Sequence, residues 1–236
     1  MLQRGLETFQ SSIGGLDALL ITHEHIDHIR SLPAILKTGC ALVCSSGSAR
    51  VTGVPAARRP ESSRHGEVVV GDMTITMIPV SHDAAEPCGY HIQAGGRQVT
   101  IVTDLGEGSS PLLMYLRESD LIIIEANHDE EVLRAGPYPE RLKRRILAPT
   151  GHLSNADAAS LLVEALRRAD RTPTVWLAHL STTNNRPGLA QATVERALRN
   201  AGSASSVSVL ARRAMSPVWT GGPAAALNPR QLGFDL

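Results

Sequence analysis

Short runs of Val, Ile and Leu punctuated by turn residues fill the first half of the chain, and a helical period takes over in the second. Apolar runs at about 17–22, 41–44, 67–70, 73–80, 89–94, 98–103 and 120–125 predict strands. Two turn signals join neighbours: Gly71-Asp72 between Val70 and Met73, and Gly95-Gly96 between Ala94 and Arg97. Glycine supplies the positive φ that tight hairpins need, so this region predicts a meandering, largely antiparallel sheet.

Further on, Ala158, Leu161, Leu162, Ala165 and Leu166 share one stripe of a helix over 154–168, and Leu189, Val194 and Leu198 share one over 189–200. Between them Thr174 to Ala178 reads as a buried strand, and Val207 to Leu210 as another. Strands first and βα units later predict sheets packed on each other with helices outside. With 236 residues and 42% hydrophobic content, the chain can build this as one large domain, 1–236. Aromatics make up only 3%, so the core is expected from Leu, Ile, Val and Ala, with Trp176 and Trp219 as rare large fillers.

Net charge changes the picture little. It is zero, which excludes a globally basic nucleic-acid coat but leaves local patches open. Cys40, Cys44 and Cys88 are odd in number and form no CxxC pair, so buried free thiols are expected rather than a disulfide framework or a cysteine-rich zinc knuckle. No apolar stretch reaches membrane-span length, and the first seven residues are too polar for a secretory core. The expected location is the cytoplasm, without membrane attachment.

Chemistry enters at Thr22-His23-Glu24-His25-Ile26-Asp27-His28, which follows the apolar run ending at Ile21. Three imidazoles and two carboxylates in so short a stretch make a poor packing element but a natural ligand cluster for zinc and its neighbours. A strand ending at Ile21 delivers His23 and His25 from a loop, while Asp27 and His28 sit where a helix through 29–37 can start. His82, Asp104 and His179 each follow a predicted strand. That recurrence suits a site built from loops on one rim of a sheet scaffold.

Together these segments resemble the metallo-β-lactamase-fold hydrolases. The opening cluster is similar to their HxHxDH signature, and His82, Asp104 and His179 resemble their later metal positions. Glu125 to Asp129, Gly136 to Pro139 and Gly151 to Asn155 resemble the YycJ (WalJ) branch, whose members are nuclease-like. The resemblance implies a four-layer αββα sandwich of the α/β class and two divalent metal ions, zinc first and manganese second. It places His23, His25 and His82 on one metal, Asp27, His28 and His179 on the other, and Asp104 between them. The implied activity is phosphodiester hydrolysis, exonuclease-like, with nucleic acid, DNA first, as substrate; Asp27 and His152 are the implied catalytic residues. The alternatives are a small-molecule hydrolase of thioesterase or lactonase type, or a metal-binding remnant without turnover.

His152 precedes Ser154-Asn155-Ala156-Asp157, a capping pattern for the helix that follows. That helix is expected to aim its free N–H groups at a phosphate, with His152 stabilising charge or protonating the leaving oxygen. Glu125, Asn127 and His128 are candidates to orient ligating histidines, or simply to satisfy their own loop. Arg141, Lys143, Arg144 and Arg145, and separately Arg58, Arg59 and Arg64, are basic runs that would attract a polynucleotide if either borders the metal rim. His65 and His91 carry no assigned role. The family ordinarily places two strands before the HxHxDH loop; here about twenty residues precede it, and residues 2–13 resemble the helix that connects those strands to the loop. The first sheet is therefore expected to lack its usual first strands.

Overall fold

The structure, a computed structural model, describes residues 2–61, 66–167, 169–212 and 214–221. Helix α1 spans Leu2–Thr8, strand β1 Ala18–Leu20, and two single-turn helices, α2 (Ile26–Ile29) and α3 (Leu32–Ile35), follow. Then come β2 (Ala41–Val43), α4 (Ser46–Thr52), β3 (Glu67–Val70), β4 (Met73–Pro79), β5 (Cys88–Ala94) and β6 (Arg97–Val102). The second half alternates: α5 (Ser110–Glu118), β7 (Leu121–Glu125), α6 (Glu130–Ala135), α7 (Glu140–Ile146), α8 (Asn155–Leu166), β8 (Thr174–Ala178), α9 (Pro187–Asn200) and β9 (Val207–Val209).

The large sheet runs β3-β4-β5-β6-β7-β8-β9 in strict chain order. Up to β6 its pairings are antiparallel, closed by glycine turns in which Gly71, Gly95 and Gly96 have φ of 59°, 55° and 73°. From β6 onward they are parallel, because each connection now carries a crossover helix. The antiparallel expectation thus holds for β3 to β6 and stops there. β1 and β2 form a separate parallel pair, Ala18 opposite Ala41 and Leu20 opposite Val43. Residues 29–37 break into α2 and α3 instead of forming one helix, and α1 ends at Thr8. Pro33, in the first turn of α3, has no N–H to carry a helical ladder through from α2.

Three apolar clusters define the layers. Ile21, Leu32, Ile35, Leu42 and Ala49 pack the small sheet against the helices outside it. Val43, Val68, Ile75, Cys88 and Tyr90, with Leu20 and Met77 against them, fill the space between the two sheets. Ile78, Val102, Ile122, Ile124, Val175 and Leu177 point the other way and meet Leu112, Leu116, Leu162, Val194 and Leu198 of α5, α8 and α9. Period-two alternation makes this division: in β4, Ile75 and Met77 face one interface and Ile78 the other. Helix, sheet, sheet, helix is the αββα order. The three cysteines are buried and unpaired, and among the described residues no helix is long and apolar enough to cross a membrane.

Tyr90 ties the two sheets with a polar contact inside the apolar layer. Its hydroxyl, on β5, lies 2.6 Å from the carbonyl of Ile21 and 2.9 Å from that of Val43, and donates its proton between them. Both acceptors lie at the carboxyl ends of the small-sheet strands, Ile21 directly before the histidine loop and Val43 shortly before α4. Tyr90→Phe keeps the ring and leaves two buried carbonyls short of a donor, so it should cost about 1–3 kcal/mol by urea denaturation. An unchanged midpoint would show that the sheets are held by apolar packing alone.

Candidate metal centre

β1 is too short to carry ligands itself; it stops and hands them to a loop and a helical turn. His25 has extended backbone as the N-cap of α2, and its carbonyl accepts from the N–H groups of His28 and Ile29 at 2.9 and 3.2 Å. Asp27 and His28 therefore lie in the first turn of α2, facing a different point from His23 and His25. The Thr22 hydroxyl is 3.1 Å from Nδ1 of both His23 and His28 and fixes the two rings relative to each other. Their centroids are 4.2 Å apart.

The remaining groups come from the carboxyl ends of the four large-sheet strands β4, β6, β7 and β8: His82 after β4, Asp104 after β6, Glu125 at the end of β7 and His179 after β8. Asp104 and His179 take φ of 58° and 55°. A non-glycine residue in this left-handed region is uncommon and is held there by its surroundings, here to turn the side chain back over the sheet edge. The Asp104 carboxylate is central: its oxygens lie 3.3 Å from His28 Nε2, 3.7 Å from His82 Nε2 and 3.6 Å from His179 Nδ1. His82 donates from Nδ1 to the Gly151 carbonyl at 3.0 Å, which leaves Nε2 as the free lone pair. Gly151 must be glycine for this approach, since a Cβ would collide with the carbonyls of Arg145 and Ile146.

Beneath these groups lies Glu125, with no exposed surface. Its Oε1 accepts from His179 Nδ1 at 2.6 Å and His152 Nδ1 at 3.0 Å; its Oε2 accepts from the N–H groups of Leu153 at 3.1 Å and Leu105 at 3.3 Å. Burial alone would raise its pKa, but the two histidine hydrogen bonds prevail and hold it at about 2. Burial likewise opposes charge on His179, and Glu125 overrides it, raising that imidazole to about 9. The same partner raises His152 against its burial. Because both rings turn Nδ1 toward Glu125, each keeps Nε2 for other work.

Whether these side chains suit a cation is answered by atoms that lack partners. His23 Nε2, His82 Nε2 and Asp104 Oδ2 are buried with no hydrogen bond. Burial, then His28, His25 and His82, pushes the His23 pKa down to about 3, so its ring is neutral with a lone pair to give. Donor atoms of His23, His25 and His82 lie within 4.8 Å of one another, as do those of Asp27, His28 and His179, and of His23, His28 and Asp104. Mixed imidazole and carboxylate sets of this kind fit divalent metals. The seven residues expected as ligands are thus brought together. Asp104, Glu125, His152 and His179 also converge, but Glu125 already accepts from both histidines and acts as their anchor.

Some expectations change. The N–H of Asn155 donates to the His128 carbonyl at 2.8 Å, and that of Asp157 to the Ser154 hydroxyl at 3.0 Å in a complete capping box. Ser154 and Asn155 are each 1% exposed, so these first-turn donors of α8 do not face a phosphate. Asn127 does support the site, donating to the His179 carbonyl at 2.9 Å. The His128 ring is buried and orients no ligand; neither nitrogen has a hydrogen bond. Arg58 donates to the Cys40 and Leu36 carbonyls and serves the small sheet. Arg64 and His65 lie outside the described residues, and His91 is a buried network histidine bound to Thr100 and Gln98. Glu24 gains a role: it accepts from the Ala85 N–H at 2.6 Å and the Ser48 hydroxyl at 3.1 Å, clamping the first histidine loop to the segment after His82. Nothing in its spacing revealed this, because both partners are remote in sequence.

Residues 3–179 match the β-lactamase superfamily domain. The chain belongs to that family, the metallo-β-lactamase-fold hydrolases. Within it the chain is 32% identical over 197 residues to the exodeoxyribonuclease YycJ of Bacillus anthracis, covering 81% of this chain and 74% of the relative. It is 37% identical over 194 residues to the exodeoxyribonuclease WalJ of Streptococcus pneumoniae, covering 79% and 71%. Among solved structures, the metallo-β-lactamase fold protein YhfI of Bacillus subtilis superposes with a TM-score of 0.58 at 16% identity, over 84% of this chain and 76% of that one.

Glu125→Gln removes a charge that two histidines share. Leaving their protons unpaired in a buried site should cost roughly 3–5 kcal/mol in the metal-free protein. The signs follow from the two shifts. A depressed Glu125 contributes stability above its ordinary 4.5 and loses it as pH falls toward about 2; a raised His179 contributes below 6.5 and loses it as pH climbs through about 9. Urea denaturation of wild type and variant should therefore differ most between 4.5 and 6.5, with the gap narrowing as pH climbs from there and closing above about 9. A gap that does not vary with pH would overturn the assignment.

Proposed function

We propose that the protein is a dinuclear metal-dependent phosphodiesterase of exonuclease type that acts on nucleic acid, DNA first. One observation carries the reading: buried ligand atoms on His23, His82 and Asp104 have no partner while seven donor side chains converge on them. The exodeoxyribonuclease names of the two relatives supply the substrate class. In this reading His23, His25 and His82 hold one cation, Asp27, His28 and His179 the second, and Asp104 gives an oxygen to each. Zinc is the first candidate and manganese the second. Two such cations, when bound, supply a nucleophile near neutral pH and polarise the phosphoryl oxygens.

The protein's own groups do the rest. Asp104 is held rigid by the strained turn at its backbone, which keeps the two halves of the site in register. Asp27 has a side chain 60% exposed, while that of its neighbour His28 is 19% exposed; this exposure supports a role for the Asp27 carboxylate in orienting an attacking water. His152, 22% exposed, stands at the rim with centroid distances of 5.1 Å to His82 and 5.5 Å to His179. Burial opposes charge on His152, but Glu125 fixes its Nδ1–H and raises its pKa, which favours the form whose Nε2–H would be given to the leaving oxygen.

The test is cleavage of end-labelled single- and double-stranded DNA and RNA with zinc or manganese. Wild type should cut, and Asp27→Ala should not; equal cutting by both would mean a contaminant. His152→Ala should keep its metal by elemental analysis and lose about 10²- to 10⁴-fold in kcat. Loss of metal from that variant would make His152 a ligand. Two bound metals without any cleavage of polynucleotide, beside hydrolysis of a thioester or lactone, would transfer the assignment to small molecules.

Glu24→Ala should weaken metal binding more than it weakens the fold, because it frees two ligand-bearing segments from each other. Competition with a chromophoric chelator at fixed pH reads this directly. Unchanged affinity would assign Glu24 to local backbone satisfaction only.

A further inference from the structure

The basic run on α7 does border the metal rim. Arg141, Arg144 and Arg145 are exposed, and their spacing puts them on one face of the helix. Lys143 is turned inward instead, 2.6 Å from the Arg134 carbonyl and 3.1 Å from Glu140. The face is fixed to the site by Arg145, whose Nε donates to Asp83 Oδ2 at 2.6 Å. The other Asp83 oxygen is 3.5 Å from His82 Nε2 and 3.9 Å from His25 Nε2. One side chain therefore separates the guanidinium from two proposed ligands.

This arrangement answers an electrostatic difficulty. Asp27, Asp83, Asp104 and Glu125 gather round the centre; two divalent cations would offset them, but the phosphates of a strand that lie beyond the cations need positive partners of their own. Arg145 neutralises Asp83, and both raise each other's charged form: the ion pair lowers the Asp83 pKa and raises that of Arg145. Arg141 and Arg144 have no ion pair among the described residues. Since the whole chain has a net charge of zero, this is a local asymmetry and not a general basic coat.

Resting on the phosphodiesterase reading above, we propose that the exposed face of α7 is a backbone track: Arg141, Arg144 and Arg145 bind successive phosphates of one polynucleotide strand whose end lies in the metal centre. From Arg141 to Arg145 the helix rises about 6 Å, so the three guanidinium groups on their long side chains can spread over more than one phosphate of a strand. Such contacts position a strand without reading its bases. The arginine planes add bidentate geometry to each phosphate.

The test uses full-length protein loaded with zinc or manganese and the double variant Arg141→Gln/Arg144→Gln. Two substrates are compared: an end-labelled single-stranded oligonucleotide and bis(p-nitrophenyl) phosphate, a diester too small to reach α7. For the oligonucleotide, KM should rise about tenfold, and the slope of log KM against log salt should fall by about one for each arginine removed. Turnover of the small diester should stay within about twofold, and Arg141→Lys/Arg144→Lys should restore most of the oligonucleotide KM. If wild type cuts the oligonucleotide and the glutamine variant does so with the same KM and salt slope, the track is refuted while the nuclease reading stands. Equal losses on both substrates would assign α7 to supporting the site and also overturn the track. A wild type that hydrolyses the small diester but neither binds nor cuts any oligonucleotide overturns both.

Discussion

Glu125 has no exposed surface and accepts from two imidazoles and two backbone N–H groups. An ionised carboxylate in that position is tolerable only because every lone-pair direction has a donor. Its four donors come from loops after β6 and β8 and from the segment before α8, so one buried charge ties together three pieces of chain that diverge elsewhere. It also sets the two rings so that their second nitrogens face the centre. Removing the charge would disturb orientation and protonation together, which is why the rest of the site depends on it.

The scaffold accounts for where this carboxylate sits. Chain-order pairing of β3 to β9 brings the carboxyl ends of β4, β6, β7 and β8 to one rim, and turns there are free to carry polar groups because the strands beneath are closed by two apolar interfaces. Asp104 and His179 adopt positive φ at that rim. Such backbone costs of order 1–3 kcal/mol each, offset here by the contacts their side chains make across the centre. The small sheet delivers the histidine loop from the opposite side, and Tyr90 and Glu24 join it to the large sheet at two points.

Charge is distributed by the same logic. Buried imidazoles crowd His23, which burial and its neighbours keep neutral, while His179 beside Glu125 is kept protonated in the absence of a cation. The centre thus holds one imidazole, His23, that offers its lone pair at once, and another, His179, that must release a proton to do so. Outside it, Asp83 links His82 and His25 to the exposed Arg145 of α7.

Alternation and turn chemistry in the sequence determined the strands of the large sheet to within a residue or two, the two long helices of the second half, and sheets packed on each other with helices outside; the four-layer αββα order followed from the family resemblance. The candidate metal cluster was legible because histidine and aspartate at strand ends have few uses in packing. Period and composition are local properties, so they carry such information. Contacts between remote segments do not. That Glu125 is the anchor, that Glu24 clamps two loops, that the first-turn N–H of Asn155 is taken by the His128 carbonyl, and that α7 meets the rim while Arg58 serves the small sheet were decided only by tertiary structure. In each case the partner lies from about twenty to about seventy residues away, and nothing in local spacing constrains which polar group will be found there once the apolar layers close.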